Sequence, residues 1–295
     1  MQRNQLLGSS MVFIAAFCFA AKAIMVKLAY GYHIEPVVFL FFRMVFSLPF
    51  FIVIPLFFRK EQPAEKPETL DYLKLILLGV LGYYASSMLD FAGLQYVTAG
   101  LERLILFIYP TIVVVLLFVF FRKSIGKKEL IALLLSYSGV LLVFLNDDIF
   151  EQKDATLGAL LIFGSAFTYA IYLIGSGNLI PKFGSVHFTA YVMIVSCISV
   201  IVHYLLFHRT SLTGYPSQIY ILGVAIAIIS TVLPTFLVSE GIKRIGAGRA
   251  AIVASIGPVS TLILGYFILN ESISFIEVIG TCLVLTGVLL VSSNK

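Results

Sequence analysis

The chain has 295 residues, 60% of them hydrophobic and 12% charged, and its mean hydropathy of +1.04 exceeds what a soluble domain of this size can bury. A formal charge of +5 would suggest nucleic acid in a soluble protein, but here the basic residues sit in short connections between apolar runs, where they act as topology signals. The expected class is an all-α integral membrane protein, with the lipid bilayer as its solvent and no nucleic acid as partner.

Crossing roughly 30 Å of hydrocarbon takes about 20 helical residues. Apolar runs of that order lie at 8–30, 36–58, 72–91, 100–121, 129–145, 157–177, 186–207, 219–238, 247–269 and 275–291. They predict ten transmembrane helices, numbered here as spans one to ten, with no connection long enough for a soluble domain. Arg3 ahead of Ala21-Lys22-Ala23 mimics a secretory signal. A second copy of the segment, described below, argues for a retained helix.

Alternate connections differ sharply in Lys and Arg. Arg59, Lys60, Lys66 and Lys74 flank the second, Arg122, Lys123, Lys127 and Lys128 fill the fourth, Lys182 sits in the sixth, and Lys243, Arg244 and Arg249 surround the eighth. These four connections are expected in the cytoplasm, and with them both termini. The fifth connection, 146–151, is acidic and is expected outside.

Displacing the sequence by 148 positions superimposes Gly93, Ala99, Gly100, Pro110, Glu129 and Gly139 on Gly241, Ala247, Gly248, Pro258, Glu277 and Gly287 without a gap. A shift of 150 sets Gly8, Phe13, Ala16, Phe17 and Ala20 on Gly158, Phe163, Ala166, Phe167 and Ala170. Apolar composition alone does not align glycines and a proline. The chain therefore reads as two five-helix repeats, 1–149 and 150–295. Because five is odd, the second enters the membrane inverted, the plan of many secondary transporters. Pro110 and Pro258 fall mid-helix in spans four and nine, where a missing amide and a ring clash bend the helix and expose a carbonyl; they either line a midplane cavity or simply shape packing.

These features resemble the ten-helix, EamA-type branch of the drug/metabolite transporter superfamily. The resemblance covers nearly the whole chain, including the closing pattern Gly257-Pro258 through Asn270-Glu271-Ser272-Ile273 to Gly287-Val288. Glu271 fits the acidic turn that such proteins carry after the proline-centred helix, whereas Lys123 departs from it in the first repeat. The resemblance implies a carrier of the bacterial inner membrane, often an exporter of amino acids or related metabolites, with its site between the halves.

Ionisable side chains inside a span are candidate functional groups, because each is costly unless paired or hydrated. Lys22, Arg43, Asp90, Glu102 and Arg103 all fall toward the expected outer side, with Glu35 nearby. This set is nearly charge-balanced, as a paired substrate-binding or gating network requires. Ser165, Tyr169, Tyr172 and Ser176 form a polar-aromatic stripe on span six, Tyr83, Ser87 and Asp90 one face of span three, and Glu102 and Tyr109 one face of span four. Spans one, three, four, six, eight and nine are expected around the cavity, and spans five and ten as scaffold or homodimer contact. Tyrosines beside a few charges suit an amphipathic or zwitterionic small molecule.

Cys18, Cys197 and Cys282 lie far apart in apolar runs and read as buried structural thiols. His33, His187, His203 and His208 lack metal-ligand spacing, so no metal and no cofactor is expected. The Gly-rich stretch 246–251 mimics a dinucleotide fingerprint, but no strand precedes it. The leading function is a secondary transporter and not an enzyme. The alternatives are a membrane-embedded enzyme, which would need a catalytic cluster, and a structural or regulatory membrane subunit, which would not need a duplicated unit with a polar stripe.

Overall fold

The computed structural model of the chain describes residues 2–58, 67–121, 126–144, 154–208, 210–245, 253–254 and 256–292. The regular elements among the described residues are helices. Seven of these stretches are long and apolar enough to cross a bilayer: Gln5–Tyr30, Pro36–Phe57, Thr69–Gly93, Ala99–Phe120, Ala155–Phe183, Ser185–Phe207 and Ser217–Gly241. Shorter apolar helices cover Ile256–Leu269 and Phe275–Gly287, and Lys127–Phe144 forms a helix where the fifth span is expected. Residues 122–125 with Arg122 and Lys123, the acidic connection 146–151 and the fingerprint-like stretch 246–251 lie outside the described residues.

Local sequence explains where the helices stop. Pro36 opens span two at a position where its missing amide costs nothing. Spans six and seven are joined by Gly184 alone, at φ 78°, a backbone conformation that a Cβ disfavours. Asn270 ends span nine in the left-handed conformation at φ 54°. Pro110 does not sit mid-helix as expected. The helix breaks at Phe107 and Ile108 and restarts as Tyr109–Phe121, because residue 110 has no N–H to continue the ladder. Pro258 lies within the helix Ile256–Leu264.

The two repeats interleave. Span one packs along span eight and span six along span three, while span two meets span seven and span five meets span ten. Two of these crossings use the repeated glycines. A Cβ on Gly93 would stand 2.9 Å from the carbonyl oxygen of Gly158, and one on Gly158 3.0 Å from that of Gly93. The equivalent pair is Gly241 and Gly8, where a Cβ on Gly241 would stand 3.2 Å from the Gly8 oxygen. Glycine thus permits backbone-to-backbone approach at matching places in both repeats. Spans five and ten close on each other at Gly139, whose added Cβ would lie 2.6 Å from the Gly280 oxygen.

A second internal correspondence is visible only in three dimensions. Span three widens into a π-helical segment at Val80–Ala85 and span eight at Ile228–Val232. The 148-residue displacement sets Val80 on Ile228, so both repeats carry the irregularity at the same place. Such segments rotate the side chains that follow and accompany functional sites.

Candidate functional site

Three charged side chains meet at the expected outer side of the first repeat. Lys22 Nζ donates to Asp90 Oδ2 at 2.5 Å and to Glu102 Oε1 at 3.1 Å. All three are buried, with Glu102 0% exposed. Span one delivers the ammonium, the last turns of span three deliver Asp90, and the first turn of span four, capped by Thr98 onto the Leu101 amide, delivers Glu102. Nearby, the Ala99 amide donates to Glu271 Oε1 at 3.1 Å. The acidic turn after span nine thus places its carboxylate on the helix start of span four, where orphan donors and the dipole favour an anion.

Arg43 is buried, yet it bonds hydroxyls and forms no ion pair within 4 Å among the described residues. Its Nε donates to Thr231 Oγ1 at 2.8 Å and its Nη1 to Ser87 Oγ at 3.3 Å, while its guanidinium carbon lies 5.4 Å from the centre of the Phe91 ring. Thr231 belongs to the π segment of span eight, and its hydroxyl also donates to the Ile226 carbonyl. Arg43 therefore ties span two to spans three and eight at mid-depth.

Beside this tie lies a cavity of about 250 Å³. Its walls carry Tyr83, Tyr169, Tyr172 and Phe19, and hydroxyls of Ser176, Ser185, Thr189, Thr235 and Ser239. It runs from the level of Tyr83 to the Gly184 turn between spans six and seven. The rings support one another: Tyr83 and Tyr172 meet edge to face at 5.1 Å, and Tyr169 and Tyr172 stack at 5.7 Å. A Cβ on Gly82 would overlap the Tyr172 side chain, so the glycine lets span three approach this ring. On the same side as the Gly184 turn, Lys182 Nζ donates to Asp71 Oδ2 at 2.9 Å, joining spans six and three.

The structure divides the five-residue network expected from sequence. Lys22, Asp90 and Glu102 come together. Arg43 stands apart from the carboxylates and reaches Ser87 and Thr231 instead. Arg103 follows Glu102 on a helix, so it points about 100° away. Its guanidinium lies against span nine, where a Cβ on Gly257 would be 3.2 Å from Nη2, and its Nε has no hydrogen-bond partner. Glu35 is exposed and faces the Thr210 hydroxyl at 3.4 Å.

Tyr83, Tyr169, Tyr172 and Ser176 line the cavity, whereas Ser165 is taken up by Ser86 at 2.9 Å. Tyr109 packs on Tyr169 at 5.2 Å and so stands behind the wall. Among the described residues, spans four and nine contribute no lining to this cavity, and span seven supplies Ser185 and Thr189. Cys18 and Cys197 are buried as expected, but Cys282 is exposed on the last helix. No three His, Cys, Asp or Glu side chains cluster as a metal site among the described residues.

Sequence reasoning missed Thr231, Thr235 and Ser239, although their spacing of four residues is a hydroxyl stripe on span eight. It also missed Asp71, whose capping box with Glu68 marks the start of a helix and not its ion pair.

The model of the EamA-like transporter family matches the chain twice, over residues 6–145 and 156–293. The uncharacterized transporter YcbK of Bacillus subtilis (strain 168) is 34% identical over 284 residues, covering 94% of this chain and 90% of its own. The uncharacterized transporter YetK of the same organism is 26% identical, covering 88% of this chain and 79% of its own. A crystal structure at 14% identity shares the fold with a TM-score of 0.66, covering 96% of this chain and 95% of the other. The paired family match and a relative of this identity along nearly the whole chain show that it belongs to the EamA-like transporter family of multi-pass membrane proteins.

Proposed function

We propose that this protein is a secondary carrier that exports a small metabolite, an amino acid or related amphipathic compound, across the bacterial inner membrane by alternating access. In this reading it has ten crossings in two inverted halves, 1–149 and 150–295, with both termini in the cytoplasm. The observation that carries the reading is the cavity between spans of both repeats, with aromatic rings for an apolar face and hydroxyls for polar groups. It extends to the Gly184 turn, next to Lys182 of a basic connection. On the other side of Tyr83, the Lys22–Asp90–Glu102 cluster and the bond between Ala99 and Glu271 close the way. Matching glycine crossings and π segments give the two halves equivalent joints, which suits a rocking motion that exchanges the open side.

A panel of radiolabelled amino acids and related metabolites in proteoliposomes containing only this protein tests the reading. Saturable movement of at least one compound is expected, and Thr235→Phe, which fills the cavity, should abolish it. A folded, reconstituted protein that moves no member of the panel would refute it. The orientation is tested with single cysteines at Ser124 and Asp148 in a background lacking the native three. Only the second should react with an impermeant thiol reagent applied to intact cells; equal labelling overturns the inverted arrangement.

A further inference from the structure

We infer that Asp90 and Glu102 hold one exchangeable proton between them, and that this proton is the ion coupled to transport; the second half of this statement rests on the carrier reading above. Two carboxylates converge on the single ammonium of Lys22, so the cluster carries one negative charge too many when both are ionised. Asp90 Oδ1 and Glu102 Oε2 are buried and have no hydrogen-bond partner, with Asp90 3% and Glu102 0% exposed. An uncompensated charge at this depth is prohibitive, whereas a shared proton neutralises the cluster and supplies the missing donor.

Other charges do not replace that proton. Span one contributes Lys22, Lys27, which faces Glu271, and Tyr30, whose hydroxyl donates to the Phe91 carbonyl. Span two contributes Arg43, committed to Thr231 and Ser87. Span four contributes Arg103, turned toward Gly257, and the second repeat brings Glu271 and Glu277 to the first turn of span four, both negative. A metal cation is disfavoured, because Lys22 Nζ already stands between the two carboxylates where the cation would sit. Asp90 keeps the shorter contact with Lys22, so the proton resides on Glu102. On release, the Glu102 O–H bond breaks, the proton passes to water, and the electron pair stays on the carboxylate.

A chain of contacts joins this site to the cavity. Ser87 lies one turn before Asp90 and accepts from Arg43, Arg43 donates to Thr231, and the Thr231 carbonyl accepts from Thr235 on the cavity wall. Loss of the proton divides Lys22 between two carboxylate charges, so that the charge of Asp90, one turn beyond Ser87, competes with Thr231 for the Arg43 guanidinium. Proton release thereby loosens the tie between spans two and eight.

Infrared difference spectroscopy of the full chain in liposomes, titrated from acid to alkaline pH, tests the site without any transported compound. Wild-type protein should show one titrating buried carboxylic acid, moved by isotope labelling of glutamate. The band should be lost in Glu102→Gln, altered in Asp90→Asn and unchanged in Glu35→Gln. A folded wild-type protein with no glutamate-dependent band overturns the proposal, as does a band that persists in Glu102→Gln. With a compound that the panel identifies, an imposed pH gradient should raise accumulation severalfold in wild type and make no difference in Glu102→Gln. Equal wild-type accumulation with and without the gradient, or a requirement for sodium, overturns the coupling. Because the spectroscopy decides the site alone, absence of transport across the panel counts against the carrier reading and leaves the proton site standing.

Discussion

Replacing Lys22 with methionine removes the charge and keeps most of the apolar stem. In the native protein the ammonium touches one carboxylate at 2.5 Å and a second at 3.1 Å, and both are buried. Stranding one partner of a buried ion pair costs about 3–5 kcal/mol; with one proton held between Asp90 and Glu102, Lys22→Met strands a single negative charge, and a loss within that range is expected at neutral pH. Acidification removes the charge that Lys22 balances, so the loss should shrink as pH falls. Cys18 and Cys197 are buried and Cys282 is exposed; in a Cys282→Ala background, a thiol-reactive dye therefore reports unfolding. Lys22→Met should melt well below the parent, and Lys22→Met/Asp90→Asn/Glu102→Gln should recover most of the difference, since a neutral set leaves no charge uncompensated. A single variant as stable as its parent, or a triple variant no better than the single, would refute the pairing argument.

Three further outcomes are expected. Gly158→Leu forces a Cβ to within 2.7 Å of Tyr96 and 3.0 Å of the Gly93 oxygen, and should cost about 1–3 kcal/mol or more in detergent melting; Gly177→Ala, with nothing within 4 Å, should be neutral to stabilising. Arg43→Lys should lower transport in proteoliposomes nearly as far as Arg43→Ala, because one ammonium does not reproduce the planar fork that reaches Thr231 and Ser87; Lys74→Ala, at a side chain 54% exposed, should leave it intact. Tyr172→Phe should fold normally, since the ring that meets Tyr83 and Gly82 is retained, whereas Tyr172→Ala should lose about 3–5 kcal/mol through the cavity it leaves, a contrast read by melting and by substrate competition.

What the sequence determined by itself was the environment and the duplication. Span length is a one-dimensional property, matched against the thickness of hydrocarbon, so the apolar runs could be read directly. The glycines recurring at 148 and 150 residues were legible for a similar reason: each marks a place where two backbones must touch, and the crossings of Gly8 with Gly241 and Gly93 with Gly158 use them. The Tyr169 and Tyr172 stripe was visible because a helix repeats every 3.6 residues.

Only the tertiary structure decided which charges meet and which spans enclose the cavity. Lys22, Arg43 and Arg103 were equivalent candidates for the carboxylates on depth alone; helix rotation gave Lys22 to both, turned Arg103 toward Gly257 and left Arg43 to Thr231, 188 residues away. The break at Phe107 and Ile108 interrupted the register that seemed to join Glu102 with Tyr109, and the π segments shifted the faces of spans three and eight. Such choices depend on the rotation and relative depth of helices packed across distant parts of the chain. A bilayer imposes length and apolarity on each span separately, but only contact between spans selects the partner of a buried charge.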